Sequence, residues 1–444
     1  MIKRFSFVIL FSCLLLTSAC KPEKIYNAET FTLSNGLQVV VVENHRAPVV
    51  AYALWVKAGS ADEVPGQSGV AHFLEHLMFK GTPTLKPGEY SRKMRSWGAN
   101  ENAFTSYDYT GFFATISKDK LENALALEAD RLQNLAPPLD HVASERLVVI
   151  EERRQRTEND PRAIFFEKLD TKLYPDHPYG RPIIGWHNEM EQLDWPRSKS
   201  FIDKWYSPSN MALVFSGDIT VAEARSLAKK YFMLKDYKVP AAHTLPDAQP
   251  LATREIVKGT DPLVEQPIYA QKFLAPNLTQ DHKAALALLV IQDVIAGNAA
   301  SRFYQSLVVE QKVATSVNVS YDPFKRSTSE IIIWAVPAEG VSFETINQKI
   351  NEEVAALIQD GIPNEKIAES KKRLIESAAY ARDSLMGPVM DIGRALSTGA
   401  TLDDIEMLPV AIEGVTQKDI ANALRLIAPD KGNITGWLEK GDAQ

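Results

Sequence analysis

The sequence is poor in cysteine, and its two cysteines lie close together at the start. Of 444 residues, only Cys13 and Cys20 are cysteine, so the rest of the chain forms no disulfide and no thiolate metal site. A metal bound there needs histidine and carboxylate ligands. Basic residues are also in deficit, with 49 Lys and Arg against 56 Asp and Glu and a net charge of −7. This balance argues against non-specific nucleic-acid binding, which requires a basic face.

Long apolar runs are missing after the first twenty residues. No later stretch reaches the roughly 18 consecutive apolar residues that suggest a membrane-spanning helix. Hydrophobic residues make up 45% of the chain and charged residues 24%, which is typical of globular proteins and excludes disordered and multi-span membrane classes. The length allows two or three domains.

The first twenty residues predict a lipoprotein signal peptide. Lys3 and Arg4 precede an apolar run over 5–16, and small residues at 17–19 precede Cys20. This order is typical of a secretory signal. The segment also resembles a bacterial lipobox, in which Cys20 becomes the lipidated N-terminus, and the Lys21 that follows suggests sorting to the outer membrane of a Gram-negative cell. We therefore expect a periplasmic protein held at the membrane by a lipid anchor.

The remaining chain predicts two domains of mixed strands and helices. Its first part contains a hairpin around Asn35-Gly36, a strand at 49–56, a single strand over 102–116, and further helices and strands to residue 231. Residues 237–254 contain three prolines and no periodicity, which indicates a linker. The predicted divisions are a signal peptide (1–20), an N-terminal domain (21–236), the linker (237–254) and a C-terminal domain (255–444).

The second domain repeats the order of elements of the first. Strands are predicted at 266–273 and near 314–319 and 330–335, with a helix at 282–296 between the first two strands and only helices from the last strand to the C-terminus. Neither half alternates strictly between strand and helix, so we predict an α+β fold rather than a doubly wound one. The repeated order suggests two similar domains related by duplication.

One segment carries the spacing of a metal site. His72 and His76 are four residues apart in a predicted helix over 69–79, so their rings project from one face and can reach one Zn²⁺ at about 2.0–2.1 Å. Glu75 is offset from them and is placed to polarise a water molecule rather than to bind the metal. The alternative is a helix whose His and Glu side chains face solvent while its apolar stripe packs in a core.

A catalytic zinc site needs a third protein ligand from elsewhere in the chain. The predicted helix 140–156 carries Glu145, Glu151 and Glu152. Glu145 and Glu152 are seven residues apart and share a face, which suits one metal ligand and one hydrogen-bond partner for an imidazole. Periodicity alone does not choose between Glu151 and Glu152, and a solvated charged face is the alternative for this helix.

The motif region resembles that of a known enzyme family. Residues 69–82 resemble the inverted-zincin motif (HxxEH) of the pitrilysin family of metallopeptidases, which includes insulin-degrading enzymes and mitochondrial processing peptidase. The resemblance extends over nearly the whole mature chain. It includes the family's substrate-pairing strand (98–105 here) and its third-ligand helix (145–152). It also includes the segment that closes the first domain (205–211 with 217–218) and the second-domain Gly-x-x-Ser-Arg-Leu segment (298–304).

This resemblance implies a zinc-dependent endopeptidase that acts on peptides or unfolded polypeptides. One Zn²⁺ per chain would be bound by His72, His76 and Glu152. Glu145 would support a metal ligand, and Glu75 would be the general base. The residues expected to pair with the peptide substrate are Asn102, Ala103 and Phe104.

The resemblance also implies a partner. Family enzymes enclose their substrate in a clamshell of two halves, and this chain supplies one half, so we expect a homodimer or a heterodimer with a related chain. For the Arg and Tyr that the opposite half contributes in larger relatives, the one candidate in this chain is Tyr321. The alternative function is a catalytically inactive partner or scaffold subunit. A purely structural zinc site is less favoured, since no fourth His or Cys lies nearby.

Overall fold

The computed structural model describes residues 24–233 and 244–441, which form two domains, each built from one sheet and its covering helices. The predicted signal peptide with Cys20 lies outside the described residues, as does the first part of the predicted linker. Residues 244–254, the described part of that linker, contain no helix or strand. Among the described helices, none combines the length and apolar character needed to cross a membrane.

The first sheet has six strands in the order β1-β2-β6-β3-β5-β4. Strands β2 and β6 are parallel, and all other neighbours are antiparallel. The central strands β3 and β6 are buried along almost their whole length, which explains their unbroken apolar sequences. The strands are β1 (Glu29–Thr32), β2 (Gln38–Glu43), β3 (Val49–Val56), β4 (Asn100–Thr105), β5 (Thr110–Ser117) and β6 (Met211–Gly217).

Eight helices accompany the first sheet among the described residues. They are α1 (Val70–Leu77), α2 (Glu89–Ser96), α3 (Leu121–Asn134), α4 (Leu139–Arg153), α5 (Pro161–Leu173), α6 (His187–Met190), α7 (Trp195–Trp205) and α8 (Val221–Tyr231).

The second sheet has five strands in the order β7-β11-β8-β10-β9, with β7 and β11 parallel and the other neighbours antiparallel. This is the arrangement of β2-β6-β3-β5-β4 in the first sheet, with the same chain order and directions. The α+β class and the expected similarity of the two domains are thereby confirmed. The strands are β7 (Glu255–Asp261), β8 (Ile268–Ala275), β9 (Ala314–Tyr321), β10 (Ser329–Pro337) and β11 (Ile434–Lys440).

Seven further helices belong to this second domain in the part of the chain that the structure describes. They are α9 (His282–Ala296), α10 (Phe343–Asp360), α11 (Asn364–Asp383), α12 (Met386–Ser397), α13 (Leu402–Glu406), α14 (Leu408–Glu413) and α15 (Gln417–Leu424).

Each sheet is partly covered by a helix from the other domain. Helix α5 of the first domain packs on β11, where a Cβ added at Gly436 would lie 2.5 Å from Phe165 Cζ. Helix α12 of the second domain packs on β3 and β6, where a Cβ added at Gly393 would lie 1.9 Å from Trp55 Nε1. Glycine at these positions lets the helix and the sheet approach closely. The two domains therefore share their apolar cores.

A buried carboxylate ties the start of the described chain to the second domain. Glu406 is fully buried and accepts three backbone N–H groups, from Tyr26 and Asn27 at its Oε2 (2.8 and 3.2 Å) and from Ala28 at its Oε1 (2.6 Å). The backbone N–H of Ile25 donates to the Glu406 carbonyl. These bonds satisfy a buried charge that would otherwise be costly.

A buried histidine joins the two domains. The Nδ1 atom of His177 accepts the backbone N–H of Tyr179 (3.1 Å), so its Nε2 carries the proton. That Nε2 donates to the carbonyl of Pro246 (2.8 Å) and lies 3.1 Å from Ser327 Oγ. Burial lowers the pKa of His177 below its ordinary value.

Two predictions about secondary structure are wrong. Residues 102–116 are not one strand but parts of β4 and β5, joined by a turn at 106–109. The Ser-Tyr-Asp-Tyr sequence of that turn lacks glycine and proline, and it is held by tertiary contacts of Asp108 with Tyr179 and Arg326. The chain also does not end in helices, because β11 closes the second sheet. Strand β7 and helices α2, α5, α6 and α7 were not predicted.

Candidate metal centre

Helix α1 presents the two histidines of the motif. It begins after Gly69, whose φ of 89° and close approach to the Ile184 carbonyl exclude a side chain. The buried carboxylate of Glu63 accepts the backbone N–H groups of Gly69 (3.0 Å) and Ala71 (2.9 Å), as expected at a helix N-terminus. The apolar face of α1 packs in the first core, which leaves the imidazoles on the opposite side.

The structure brings His72, His76 and Glu152 together. Ligand atoms of the three side chains all lie within 4.8 Å of one another. Glu152 Oε2 is 3.4 Å from His76 Nε2 and 3.8 Å from His72 Nε2. Tetrahedral zinc with bonds of about 2.0–2.2 Å requires ligand atoms about 3.3–3.6 Å apart. The donor set fits a zinc ion with three protein ligands, and the 3.4 Å separation matches this geometry while the 3.8 Å separation is slightly wider.

The two imidazoles differ in protonation. Burial and the neighbouring His76 lower the pKa of His72 to about 4, so its ring is neutral at pH 7. Burial works in the same direction on His76, but hydrogen bonds to Glu145 and Glu152 outweigh it and raise the pKa of His76 to about 9. A metal ion would therefore have to displace a proton from His76.

Helix α4 places its glutamates in three different surroundings. Glu145 Oε1 lies 2.8 Å from His76 Nδ1, and its Oε2 lies 2.5 Å from Lys80 Nζ. Glu151 is exposed and pairs with Arg154, whereas Glu152 faces the imidazoles. The structure thus brings Glu152, and not Glu151, to the two histidines.

Glu75 lies beside this group and is itself buried, with 9% of its surface exposed. Its Oε2 accepts a hydrogen bond of 2.6 Å from Thr105 Oγ1 at the end of β4. Burial raises the pKa of Glu75, and the Thr105 bond opposes this shift. A buried carboxylate with a raised pKa is typical of a general base or acid.

The three donors and Glu75 open into a cavity of about 660 Å³. Its walls come from α1, β4, the turn after α4, helix α5 and the loop 180–184. Strand β4 forms one end of the sheet and pairs only with β5 among the described strands. Asn102, Ala103 and Phe104 all border the cavity, so a free strand edge runs along the candidate site.

The expected substrate-pairing residues have distinct environments. The backbone N–H of Ala103 donates to the Oδ1 of the exposed Asn102 (2.9 Å). The ring of Phe104 packs against Trp55 and Tyr109, with centroids 5.2 and 6.1 Å away. Phe104 therefore anchors β4 through its side chain.

Sequence reasoning missed three residues near the site. Glu63 caps α1, Thr105 contacts Glu75, and Arg156 pairs with Glu152 Oε1 at 3.0 Å. Thr105 directly follows the predicted substrate-pairing segment, but nothing in the pattern indicated its contact with Glu75. In the second domain, the buried Tyr321 donates to the Pro276 carbonyl and Arg302 pairs with Glu353, and neither borders this cavity.

Two family models match consecutive parts of the chain. Residues 38–186 match Insulinase (Peptidase family M16), and residues 196–374 match Peptidase M16 inactive domain. His72, Glu75, His76 and Glu152 all lie in the first match. The name of the second match thus refers to a region without these four residues.

Curated relatives are similar over most of the chain. The zinc protease PqqE of Helicobacter pylori is 31% identical over 327 residues, which is 72% of each protein. The probable mitochondrial-processing peptidase subunit beta of Schizosaccharomyces pombe is 28% identical, with 93% of this chain and 92% of that protein covered.

Solved structures share the fold. A protease from Helicobacter pylori superposes with a TM-score of 0.86 at 25% identity, covering 93% of this chain and 99% of that one. The periplasmic protease PqqL from Escherichia coli superposes at 0.78 with 19% identity, covering 94% of this chain but 48% of that one. Its separately solved first half gives 0.79, with 95% of this chain and 93% of that one covered.

Proposed function

Because the chain belongs to peptidase family M16, the insulinase family, we propose that it is a zinc-dependent endopeptidase that hydrolyses peptides or unfolded polypeptides. The convergence of His72, His76 and Glu152 beside the buried carboxylate of Glu75 carries this proposal. The names of the relatives support zinc and proteolysis as the family chemistry. One zinc ion per chain is held by the two imidazoles and Glu152, and Glu145 orients His76.

Glu75 acts as the general base. When bound, zinc supplies the Lewis acidity that polarises a scissile carbonyl and acidifies water. The Glu75 carboxylate takes the proton of the attacking water and returns it to the leaving amine. Thr105 donates to this carboxylate from one side.

The free edge of β4 holds the substrate. An extended peptide adds to the edge as a further strand, and backbone hydrogen bonds set its register without requiring particular side chains. The N–H of Ala103, which bonds to Asn102 in the structure, becomes a donor to the peptide. This mode of binding favours unfolded segments over folded proteins.

Three variants test the assignment. We expect the wild-type protein to lose peptide cleavage on chelation and to regain it with Zn²⁺. Glu75→Gln should keep zinc and lose cleavage, whereas Glu152→Ala should lose both. The exposed Glu151→Ala serves as the matched control on the same helix and should keep both. A Glu75→Gln protein that cleaves at the wild-type rate would refute the proposed mechanism.

A second chain completes the enzyme in this proposal, either a second copy or a related subunit. Support comes from the relative named as a subunit and from the periplasmic protease PqqL, whose chain is about twice the length matched here. Analytical ultracentrifugation of the purified protein distinguishes a homodimer from a monomer that awaits a different subunit.

We place the enzyme in the periplasm, lipid-anchored through Cys20 at the outer membrane. The proposal rests on the order of the first twenty residues, and the periplasmic location of a protease with the same fold is compatible with it. Cys20→Ala should move the protein from the membrane fraction to the soluble fraction. Retention of that variant in the membrane fraction would contradict the lipid anchor.

A further inference from the structure

We propose that Thr105 is a positioning residue for Glu75, an inference that rests on the proposed function. The hydroxyl of Thr105 donates to Glu75 Oε2 over 2.6 Å, and this is the one hydrogen bond that the Glu75 carboxylate accepts from the described residues. The Glu75 side chain is buried except where its carboxylate borders the cavity. Thr105 thereby fixes one oxygen and leaves Oε1 for the reacting water.

The position of that oxygen matters because a general base works only within hydrogen-bond reach of the proton it takes. A misplacement of about 1 Å costs on the order of 100-fold in rate. Glutamate has three side-chain torsions, so a single donor at Oε2 restricts the carboxylate strongly. The geometry of the base is therefore set by a residue outside the HxxEH helix.

Thr105 also connects the base to the strand where substrate pairs. It is the last residue of β4, its backbone is opposite Thr110 of β5, and its side chain reaches α1. Thr110 is in turn fixed by its bond to the Ala58 carbonyl. A peptide that pairs with the free edge of β4 contacts the side of the strand opposite β5. The same strand therefore pairs with substrate and, through the Thr105 hydroxyl, orients Glu75.

The test uses Thr105→Val in the full-length, zinc-loaded protein. Valine keeps the β-branched shape and removes the donor. We expect kcat to fall about 10- to 100-fold, with KM within about twofold and zinc content unchanged. Thr105→Ser, which restores the hydroxyl, should recover most of kcat. Thr115→Val, a half-buried threonine of β5, is the matched control and should behave as the wild type.

Each outcome decides the inference. A Thr105→Val protein with wild-type kcat, a raised KM at unchanged kcat, or a Thr105→Ser protein as slow as the valine variant would overturn it. Crystal structures of the three proteins add a readout independent of turnover. The Glu75 carboxylate should shift in the valine variant and return in the serine variant. If the wild type cleaves no peptide, the proposed function fails, and the Glu75 position alone decides the role of Thr105.

Discussion

His76 and Glu145 are joined at 2.8 Å through the Nδ1 of the imidazole, on the side of the ring opposite the Nε2 that faces Glu152. The bond fixes the ring orientation and directs Nε2 towards Glu152, where a metal ion would bind after displacing the proton of the ring. Burial alone would raise the pKa of Glu145, but His76 and Lys80 hold it below its usual value. A buried anion therefore supports the more basic of the two imidazoles.

Removal of this support should weaken zinc binding without abolishing it. We expect Glu145→Gln to lower zinc affinity about 10- to 100-fold, because the ring loses an ionic partner and keeps its other contacts. Competition with a chromophoric chelator measures the change. Glu151→Gln, on the exposed face of α4, should bind zinc like the wild type. Equal affinities for both variants would contradict the role of Glu145.

The three buried hydrogen bonds that Glu406 accepts from residues 26–28 predict that its replacement by glutamine destabilises the protein. Glu406→Gln replaces one acceptor oxygen by an amide that donates, so at least one buried N–H loses its partner. The free energy of unfolding should fall by about 1–3 kcal/mol. Urea unfolding followed by tryptophan fluorescence measures it. The exposed Glu413→Gln is the control. A decrease in unfolding free energy of the same size there would show that the Glu406 hydrogen bonds are not responsible.

The close packing of α12 on the first sheet predicts that Gly393 does not tolerate a methyl group. A Cβ there would lie 1.9 Å from Trp55 Nε1, and the ring is buried and cannot move aside. We expect Gly393→Ala to cost about 1–3 kcal/mol or more in unfolding free energy. Gly414→Ala, where the nearest contact is 3.4 Å, should cost little. A stable Gly393→Ala protein with an unchanged Trp55 environment would refute the prediction.

The His177 contact predicts acid sensitivity of the domain interface. Its pKa is lowered in the folded protein and returns to about 6.5 on unfolding, so the unfolded state binds more protons between these values. The stabilisation is complete above about pH 6.5 and is lost as pH falls below it. His177→Gln keeps a donor and does not titrate, so stability should fall less between pH 7 and 5.

Chemical denaturation at several pH values measures this difference. His141→Gln, at an exposed ring, controls for the loss of one histidine. Identical pH dependence in wild type and His177→Gln would show that the interface histidine does not contribute.

The local part of the site was predictable and the long-range part was not. His72 and His76 follow from helical spacing alone. Helical spacing could not decide between Glu151 and Glu152. It fixes their relative rotation of about 100° but does not show which face of α4 packs against α1. The contact of Thr105 with Glu75 depends on how a strand end meets a helix, and no periodicity encodes that.

The fold shows the same division. Hairpins and single helices were visible from turn residues and periodicity, as for Asn35-Gly36 and for α9. Strand β11 was missed because its closest partners, β7 and β8, lie more than 150 residues earlier. The packing of α5 on the second sheet and of α12 on the first sheet was also not predictable. An apolar stripe in a sequence shows that a helix face is buried but not which surface it packs against.

This reciprocal cover has a consequence for how the chain can be divided. A fragment that stops after the first sheet would lack the helix that shields β3 and β6, and its own α5 would expose Phe165 to water. A fragment that starts at β7 would lack α5 and would therefore expose the apolar surface of β11. Each domain thus completes the hydrophobic core of the other, and the smallest unit expected to fold on its own contains both sheets.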